Sequence, residues 1–230
     1  MDRPYVLLSC AMSLDGYIDD ATDRPLRLSG DADTDRVDAL RASCDAILVG
    51  AATVRADDPV LMLRSQARRE ARAASGLRPD PARVVVSGGG NLDPAARLFT
   101  TGTDRIVYAA SPAVARTGER LGAAADVLDA GNPVQLDRVL ADLAARGVRR
   151  LLVEGGGSVY TQLLAAGLAD ELQLAVAPFF VGDSAAPRFV GDGRFPWSPA
   201  HRATLADVTR AGDMAVLRYA LSGGPGGGAA

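Results

Sequence analysis

Short, uninterrupted apolar runs alternate along this chain with stretches whose apolar residues recur at helical spacing. That alternation leaves few folds open. It reads as βαβ units around a largely parallel sheet, with helices on both faces. Residues 5–13 (YVLLSCAMS) are the first run, bounded by Pro4 and the Asp15-Gly16 turn signal. A polar stretch then leads to Asp31-Ala-Asp-Thr, a helix start. Val37, Leu40 and Cys44 follow at i, i+3 and i+7, which gives a helix over 33–43 with one core face. Residues 46–50 are a second buried strand, running into Ala51-Ala-Thr-Val-Arg-Ala and a loop closed by Asp57-Asp58-Pro59. Further strands are expected at 83–87, 105–109, 126–128 and 150–153. Helical stripes are expected near 112–121, over 136–143 and over 160–168. The low-complexity patch 66–75 reads as a solvated excursion.

The last third changes character. Residues 171–177 alternate like a strand, and the extended runs 202–210 and 213–221, joined at Ala211-Gly212, read as an antiparallel hairpin. The expectation is a single three-layer α/β domain over residues 1–221. Its central sheet is mostly parallel and finishes in a C-terminal antiparallel hairpin. The glycine-rich tail 222–230 has no side chains to bury and is expected to be disordered.

Composition excludes several chemistries. All 25 residues of the Lys+Arg class are arginine, so Schiff-base, pyridoxal-phosphate and P-loop lysine mechanisms are out. One histidine cannot make an HExxH zinc site, and Cys10 and Cys44 form no CxxC pair, so no metal is expected. Two free thiols suit a reducing cytosol. A formal charge of −3 advertises neither nucleic acid nor an anionic membrane, and no apolar stretch is long enough to span one. Coding bias toward GC-rich codons accounts for arginine at most positions.

In open α/β sheets ligands bind outside the carboxyl ends of the strands. Three small-residue turns sit at those ends: Gly50-Ala-Ala-Thr53, Ser87-Gly-Gly-Gly90 and Glu154-Gly-Gly-Gly-Ser158. Glycines there let backbone N–H groups approach phosphate closely, and a helix beginning near Ser158 would favour its negative charge. The third turn is not the GxGxxG fingerprint, because position 160 is Tyr, and no acid is spaced to grip a free ribose 2′-hydroxyl. Ser87 and nearby arginines suit a phosphorylated ribose, which favours NADPH over NADH. A tight strand-to-helix turn with no ligand is the alternative reading of the same glycines.

Three segments carry a resemblance to a known family. They are Ser13-Leu-Asp-Gly16, the run Ser43-Cys-Asp-Ala-Ile-Leu-Val-Gly-Ala-Ala-Thr-Val-Arg-Ala-Asp-Asp-Pro-Val-Leu61 with Arg64 beyond, and Leu152-Val-Glu-Gly-Gly-Gly-Ser158 followed by Leu164–Leu172 and Ala177-Pro178. Together they resemble the reductase domain of bacterial riboflavin biosynthesis, the C-terminal part of the bifunctional deaminase–reductase, which has a dihydrofolate-reductase-like fold. The resemblance implies an NADPH-dependent reduction in which the ribosyl group of an aminopyrimidine ribosyl 5′-phosphate becomes ribityl. It implies NADPH contacts at Ala11, Thr53, Asp57, Ser87, Gly156, Gly157, Ser158, Val159 and Tyr160. It implies substrate contacts at Arg41, Leu61, Arg64 and Glu154, and a cytoplasmic homodimer. Arg41 and Arg64 have the chemistry to fork a phosphate monoester, and Glu154 to accept hydrogen bonds from ring amino groups. Asp15 and Ser9 are the candidates for polar contact near the reacting carbon.

Two departures stand out. No HxE or PCxxC occurs, so zinc deamination is excluded for this chain. The position four before Ser13, where the family commonly has lysine, holds Ser9, which supplies no ammonium. A same-fold reductase of a dihydropterin, a dihydrofolate or a secondary-metabolite C=N bond is therefore the alternative, and a non-catalytic NADPH-binding protein a third.

Overall fold

A computed structural model describes residues 3–221 apart from 23 and 25. The tail expected to be disordered, 222–230, lies outside the described residues. In chain order the elements are β1 (Tyr5–Ser13), α1 (Asp31–Ala42), β2 (Ala46–Gly50), α2 (Ala51–Asp57) and α3 (Gln66–Ala74). Then come β3 (Ala82–Ser87), α4 (Arg97–Thr100), β4 (Arg105–Ala109), α5 (Val114–Leu121) and β5 (Asp126–Asp129). The chain ends with α6 (Leu136–Ala145), β6 (Arg150–Gly155), α7 (Gly157–Ala165), β7 (Glu171–Ala177), β8 (Thr204–Ala211) and β9 (Met214–Ala220). The expected α/β alternation is present. The described residues divide into two compact units, 3–4 with 38–152, and 5–37 with 153–221.

In the first unit β2, β3, β4 and β5 lie side by side, every pair parallel. The middles of β2, β3 and β4 are fully buried (Ile47, Val49, Val84, Val85 and Val107), as expected of strands covered on both faces, whereas β5 at the edge is only half-buried. The Asp45 amide donates to the Arg150 carbonyl at 2.9 Å, which sets the start of β6 beside β2. Helix α6 buries Leu136, Val139, Leu140 and Leu143, the stripe read from the sequence. Each such side chain contributes about 1.5–3 kcal/mol on burial.

The patch 66–75 is mostly exposed, as expected, but it is ordered as a helix. It is helix α3, started by the Ser65 side chain accepting from the Arg68 amide. The helix is anchored by Arg72, which is 6% exposed. The Arg72 guanidinium donates to the carbonyl oxygens of Ala42, Cys44 and Arg78 at 2.7–2.9 Å. A buried cation bonded this way satisfies the ends of neighbouring segments, something no apolar periodicity could signal.

In the second unit β1 runs parallel to β7, with Ser9 opposite Gln173 and Ala11 opposite Ala175. Strand β7 pairs antiparallel with β9, and β9 with β8, so the unit ends in the expected hairpin. The hairpin turn is Gly212-Asp213, and Gly212 takes φ +66°, a left-handed conformation glycine adopts without steric cost. Helix α7 buries Val159, Tyr160, Leu163 and Leu164.

Helix α1 departs from its sequence reading. Val37 and Leu40 are only half-buried, whereas Asp33 and Asp38 are 0% and 2% exposed. Both carboxylates are satisfied. Asp33 accepts from the Ser29 hydroxyl at 2.5 Å and from Arg36 at 2.7 Å. Asp38 accepts the amides of Arg64 and Ser65 and the Arg68 guanidinium. Buried charge of this kind survives because each carboxylate is bonded, Asp33 in part by Arg36 of its own helix and Asp38 by the segment 64–68.

Candidate active site

The turn after β6 builds the first part of the site within the second unit. Glu154, half-buried, is the last side chain before Gly155, Gly156 and Gly157. Gly156 adopts φ +99° and ψ 109°, and its carbonyl accepts from the amides of Val159 and Tyr160 to start α7. A Cβ on Gly157 would come within 2.9 Å of the Arg188 carbonyl oxygen, so nothing larger than glycine fits. The result is a helix start stripped of side-chain bulk, where backbone N–H groups can face an anion. Ser158 is exposed at its rim. Tyr160, fully buried, donates to the Ser9 carbonyl at 2.6 Å and so ties α7 to β1. Burial first, then the neighbouring Cys10 and Glu154 charges, hold its phenol well above the ordinary range. Tyr160 is thus a neutral structural donor, with only its backbone near the turn. Burial likewise pushes the Cys10 thiol up to about 12, partly offset by Tyr160.

The turn after β1 is stitched to a distant segment of the same unit. The Asp15 carboxylate accepts from the Ser13 hydroxyl at 2.6 Å and from the amides of Val181 and Gly182 at 3.1 and 2.8 Å. Chiefly the Ser13 bond, with these amides, overcomes desolvation and holds the Asp15 carboxyl down at about 2. Arg188 stacks 4.5 Å from the Tyr17 ring centroid and donates to the Tyr17 hydroxyl at 2.9 Å. Ser9 is 5% exposed in mid-strand. Ala11 is half-buried and packs with Ala175, Met214 and Val216. Ser9, Tyr160 and Glu154 are therefore brought together, whereas the Asp15 carboxylate is committed to the 181–182 loop.

In the first unit Arg41 and Arg64 both lie at the loop after α2. Arg41 donates to the Met62 carbonyl at 3.2 Å, and Arg64 is exposed two residues on. Leu61, 3% exposed, sits at φ +54°, a conformation bulky side chains avoid. Such strain costs on the order of 1–3 kcal/mol and collects at binding sites. Asp38 fixes this loop by receiving the Arg64 and Ser65 amides. Burial pushes its carboxyl up, but these bonds and the Arg68 guanidinium bring it below its ordinary value. Asp38 escaped the sequence reading because a helical aspartate ordinarily faces water.

Thr53 is half-buried in the first turns of α2, and Asp57 is exposed at that helix's end. Ser87 is 3% exposed, and its hydroxyl accepts the Gly90 amide at 2.9 Å, which closes the Gly88-Gly89-Gly90 turn. Three arginines border that turn. Arg116 donates to the Gly89 carbonyl at 3.0 Å, Arg55 to the Asn91 carbonyl at 3.1 Å, and Arg120 to Asn91 Oδ1 at 3.1 Å. They too were missed individually, since only the fold brings α2 and α5 to one turn. Among the described residues no cluster of three or more His, Cys, Asp or Glu could hold a metal ion, and no helix is long and apolar enough to cross a membrane.

Known proteins match this chain over nearly its whole length. The profile of the RibD C-terminal domain family matches residues 4–217. The 2,5-diamino-6-ribosylamino-4(3H)-pyrimidinone 5′-phosphate reductase of Archaeoglobus fulgidus is 39% identical over 186 residues, 80% of this chain and 85% of that protein. The protein of the same name from Methanothermobacter thermautotrophicus is 35% identical over 223 residues, 96% of this chain and 100% of that one. A crystal structure of a pyrimidine reductase-like protein from Corynebacterium diphtheriae shares the fold, with a TM-score of 0.82 at 23% identity over 94% of this chain and 91% of that chain.

Proposed function

The chain belongs to the RibD C-terminal domain family, and from that footing we propose that it is an NADPH-dependent reductase. Its substrate is an aminopyrimidine ribosyl 5′-phosphate, whose ribosyl group becomes a ribityl chain. The names of the archaeal relatives support this substrate class. One observation carries the reading: a half-buried carboxylate, Glu154, directly precedes a turn where Gly157 has no room for a Cβ and α7 begins. That stretch fits a nucleotide cofactor, because backbone donors lie open to phosphate while the acid beside them can read a heterocycle.

When bound, a reduced nicotinamide would supply a hydride to ribose C1′ as the C1′–O4′ bond breaks, and the freed 4′-oxygen would take its proton from water. The chain's own residues bind and orient. Glu154 accepts hydrogen bonds from amino groups of the ring, Leu61 packs against the substrate, and Arg41 and Arg64 hold its 5′-phosphate. Ala11, Thr53, Asp57, Ser87 and the Gly156–Tyr160 stretch hold the cofactor. Asp15, with its carboxyl at about 2, is ionised at neutral pH, so it offers no proton and serves as the anchor of the 181–182 loop. Ser9 is a polar neighbour of the reacting carbon. Rate would then come mainly from holding the reacting groups in one fixed orientation. We read residues 1–221 as one reductase domain, acting as a cytoplasmic homodimer on the family resemblance and on the two free, buried thiols.

The test is steady-state oxidation of NADPH with the ribosylaminopyrimidine phosphate, for the wild type and for Glu154→Gln. Loss of a charged hydrogen-bond acceptor should raise KM by about 10- to 100-fold, with NADPH affinity unchanged. A Glu154→Gln enzyme with wild-type KM would remove the carboxylate from substrate recognition.

A further inference from the structure

We propose that a second ligand site lies in the first unit at the amino ends of its strands, a cavity that takes a small carboxylic acid with an apolar body. Its volume is about 490 Å³, within the roughly 300–1,000 Å³ of small-molecule sites. Ala82, Arg105 and Asp126, the first residues of β3, β4 and β5, line it together with Gly147 and Val148 after α6. The glycine turn after β3 lies at the other end of that strand, about 16–17 Å away at about 3.3 Å per residue. None of the residues placed in the reductase site lines this cavity.

Two guanidinium groups of the lining have donors to spare. Arg72, 6% exposed, commits Nε and Nη1 to the carbonyl oxygens of Arg78, Ala42 and Cys44. Its Nη2 has no hydrogen-bond partner among the described residues, and Arg72 lines the cavity. Arg105 is half-buried, and among the described residues its side chain makes no hydrogen bond or ion pair. It stands beside Arg83 in the β3–β4 register. Burial first, then the Arg105 charge, pull the buried Arg83 guanidinium below its ordinary value, offset in part by Asp80 and Asp104. Positive charge at this end of the sheet is therefore under-compensated.

The carboxylates of the lining are already engaged. Asp104 pairs with Arg78, and Asp45 accepts the amides of Arg149 and Arg150 at 2.8 and 2.9 Å. Arg146 is held by Asp142 at 2.6 Å, with the Asp126 charge acting on it as well. What the cavity still offers is donors, so it selects an anion. A guanidinium fork matches the two oxygens of a carboxylate. Nearby Asp45, Asp104 and Asp126 oppose a second negative charge, so a monoanion suits the site better than a phosphate monoester at about −1.5 to −2. Leu77, Ala82, Ile106 and Val148 add apolar lining for the hydrocarbon part of the ligand.

Benzoate, phenyl phosphate and benzyl alcohol share one ring and differ in the group a guanidinium meets. Amide NMR titrations of the whole protein with each of them test the site. Benzoate should shift the amides of Leu77, Arg78, Arg105, Ile106 and Val148 saturably, and leave those of Gly88–Gly90 and Gly155–Gly157 unmoved. It should bind at least about 10-fold more tightly than either of the other two, and Arg105→Gln should lose about 10-fold of its affinity. Leu77→Glu, at an exposed position, adds negative charge beside the cavity and should weaken benzoate severalfold, a second variant if Arg105→Gln misfolds. Benzyl alcohol binding as tightly as benzoate, or phenyl phosphate binding more tightly, would overturn the carboxylate site. So would benzoate shifts confined to the glycine turns, no saturable shift at all, or a folded Arg105→Gln protein that binds benzoate like the wild type.

Discussion

The turns after β3 and β6 share a composition, Gly88–Gly90 and Gly155–Gly157, yet their surroundings differ at every position. After β3 the first two glycines are exposed beside empty space, Ser87 closes the turn, and arginine side chains stand around it. After β6 the turn opens straight into α7, Gly156 takes φ +99°, and Gly157 lies against the Arg188 backbone. One turn offers charge from side chains, the other N–H groups from the main chain. Identical triplets thus do different work because different neighbours press on them.

The sharpest way to break that contrast is to add one methyl group to each turn. Gly157→Ala drives a Cβ to 2.9 Å from a backbone oxygen that cannot swing aside. It should cost about 1–3 kcal/mol of stability and weaken NADPH binding by more than 10-fold. Gly89→Ala meets nothing within 4 Å and should stay within about 0.5 kcal/mol of wild type. Thermal melts and cofactor titrations of the two variants check this, and equal effects would dissolve the distinction.

A smaller effect is expected at the turn after β1. The Asp15 carboxyl is lowered to about 2 in the folded protein, against about 3.9 in an unfolded chain. A depressed carboxyl contributes stability above its unfolded value and loses it as pH falls through the folded one. The 181–182 loop should therefore stay protected at neutral pH and loosen only between about pH 4 and pH 2. Asp15→Asn should expose that loop to protease already at neutral pH while leaving α7 protected. An NMR midpoint for Asp15 near the ordinary carboxylate value would contradict the anchor.

The smallest effect concerns the thiols. Cys10 is pushed up to about 12 and Cys44 is raised, each chiefly by burial. Alkylating reagent at pH 8 should leave both untouched until the protein unfolds. Rapid native labelling would mean that the strands carrying them open far more easily than their burial implies.

Much of this was legible in the sequence. Strand runs such as 46–50 and the 136–143 stripe appear where apolar spacing placed them, because their burial is dictated by the residues themselves. The glycine turns were legible for a different reason, since glycine triplets directly after apolar runs leave the chain little but a turn. Helix α3 was not, since Arg72 earns its buried place from carbonyl partners at Ala42, Cys44 and Arg78. The buried face of α1 was misread because Asp33 is held by Ser29 and Arg36, and Asp38 by Arg64, Ser65 and Arg68, bonds that apolar spacing does not reveal. The three arginines bordering the turn after β3 and the Asp15 anchor belong to the same class: the charges are visible in the chain, while their convergence is a property of the fold.

The central claim is that hydride passes from the cofactor to ribose C1′ of an aminopyrimidine ribosyl phosphate. Turnover with NADPH deuterated at nicotinamide C4, followed by NMR of the product, tests it directly. The expected product is a ribityl compound carrying deuterium at C1′. Deuterium on a ring carbon of a dihydropterin or another C=N substrate, with none transferred to the ribosyl phosphate, would contradict it.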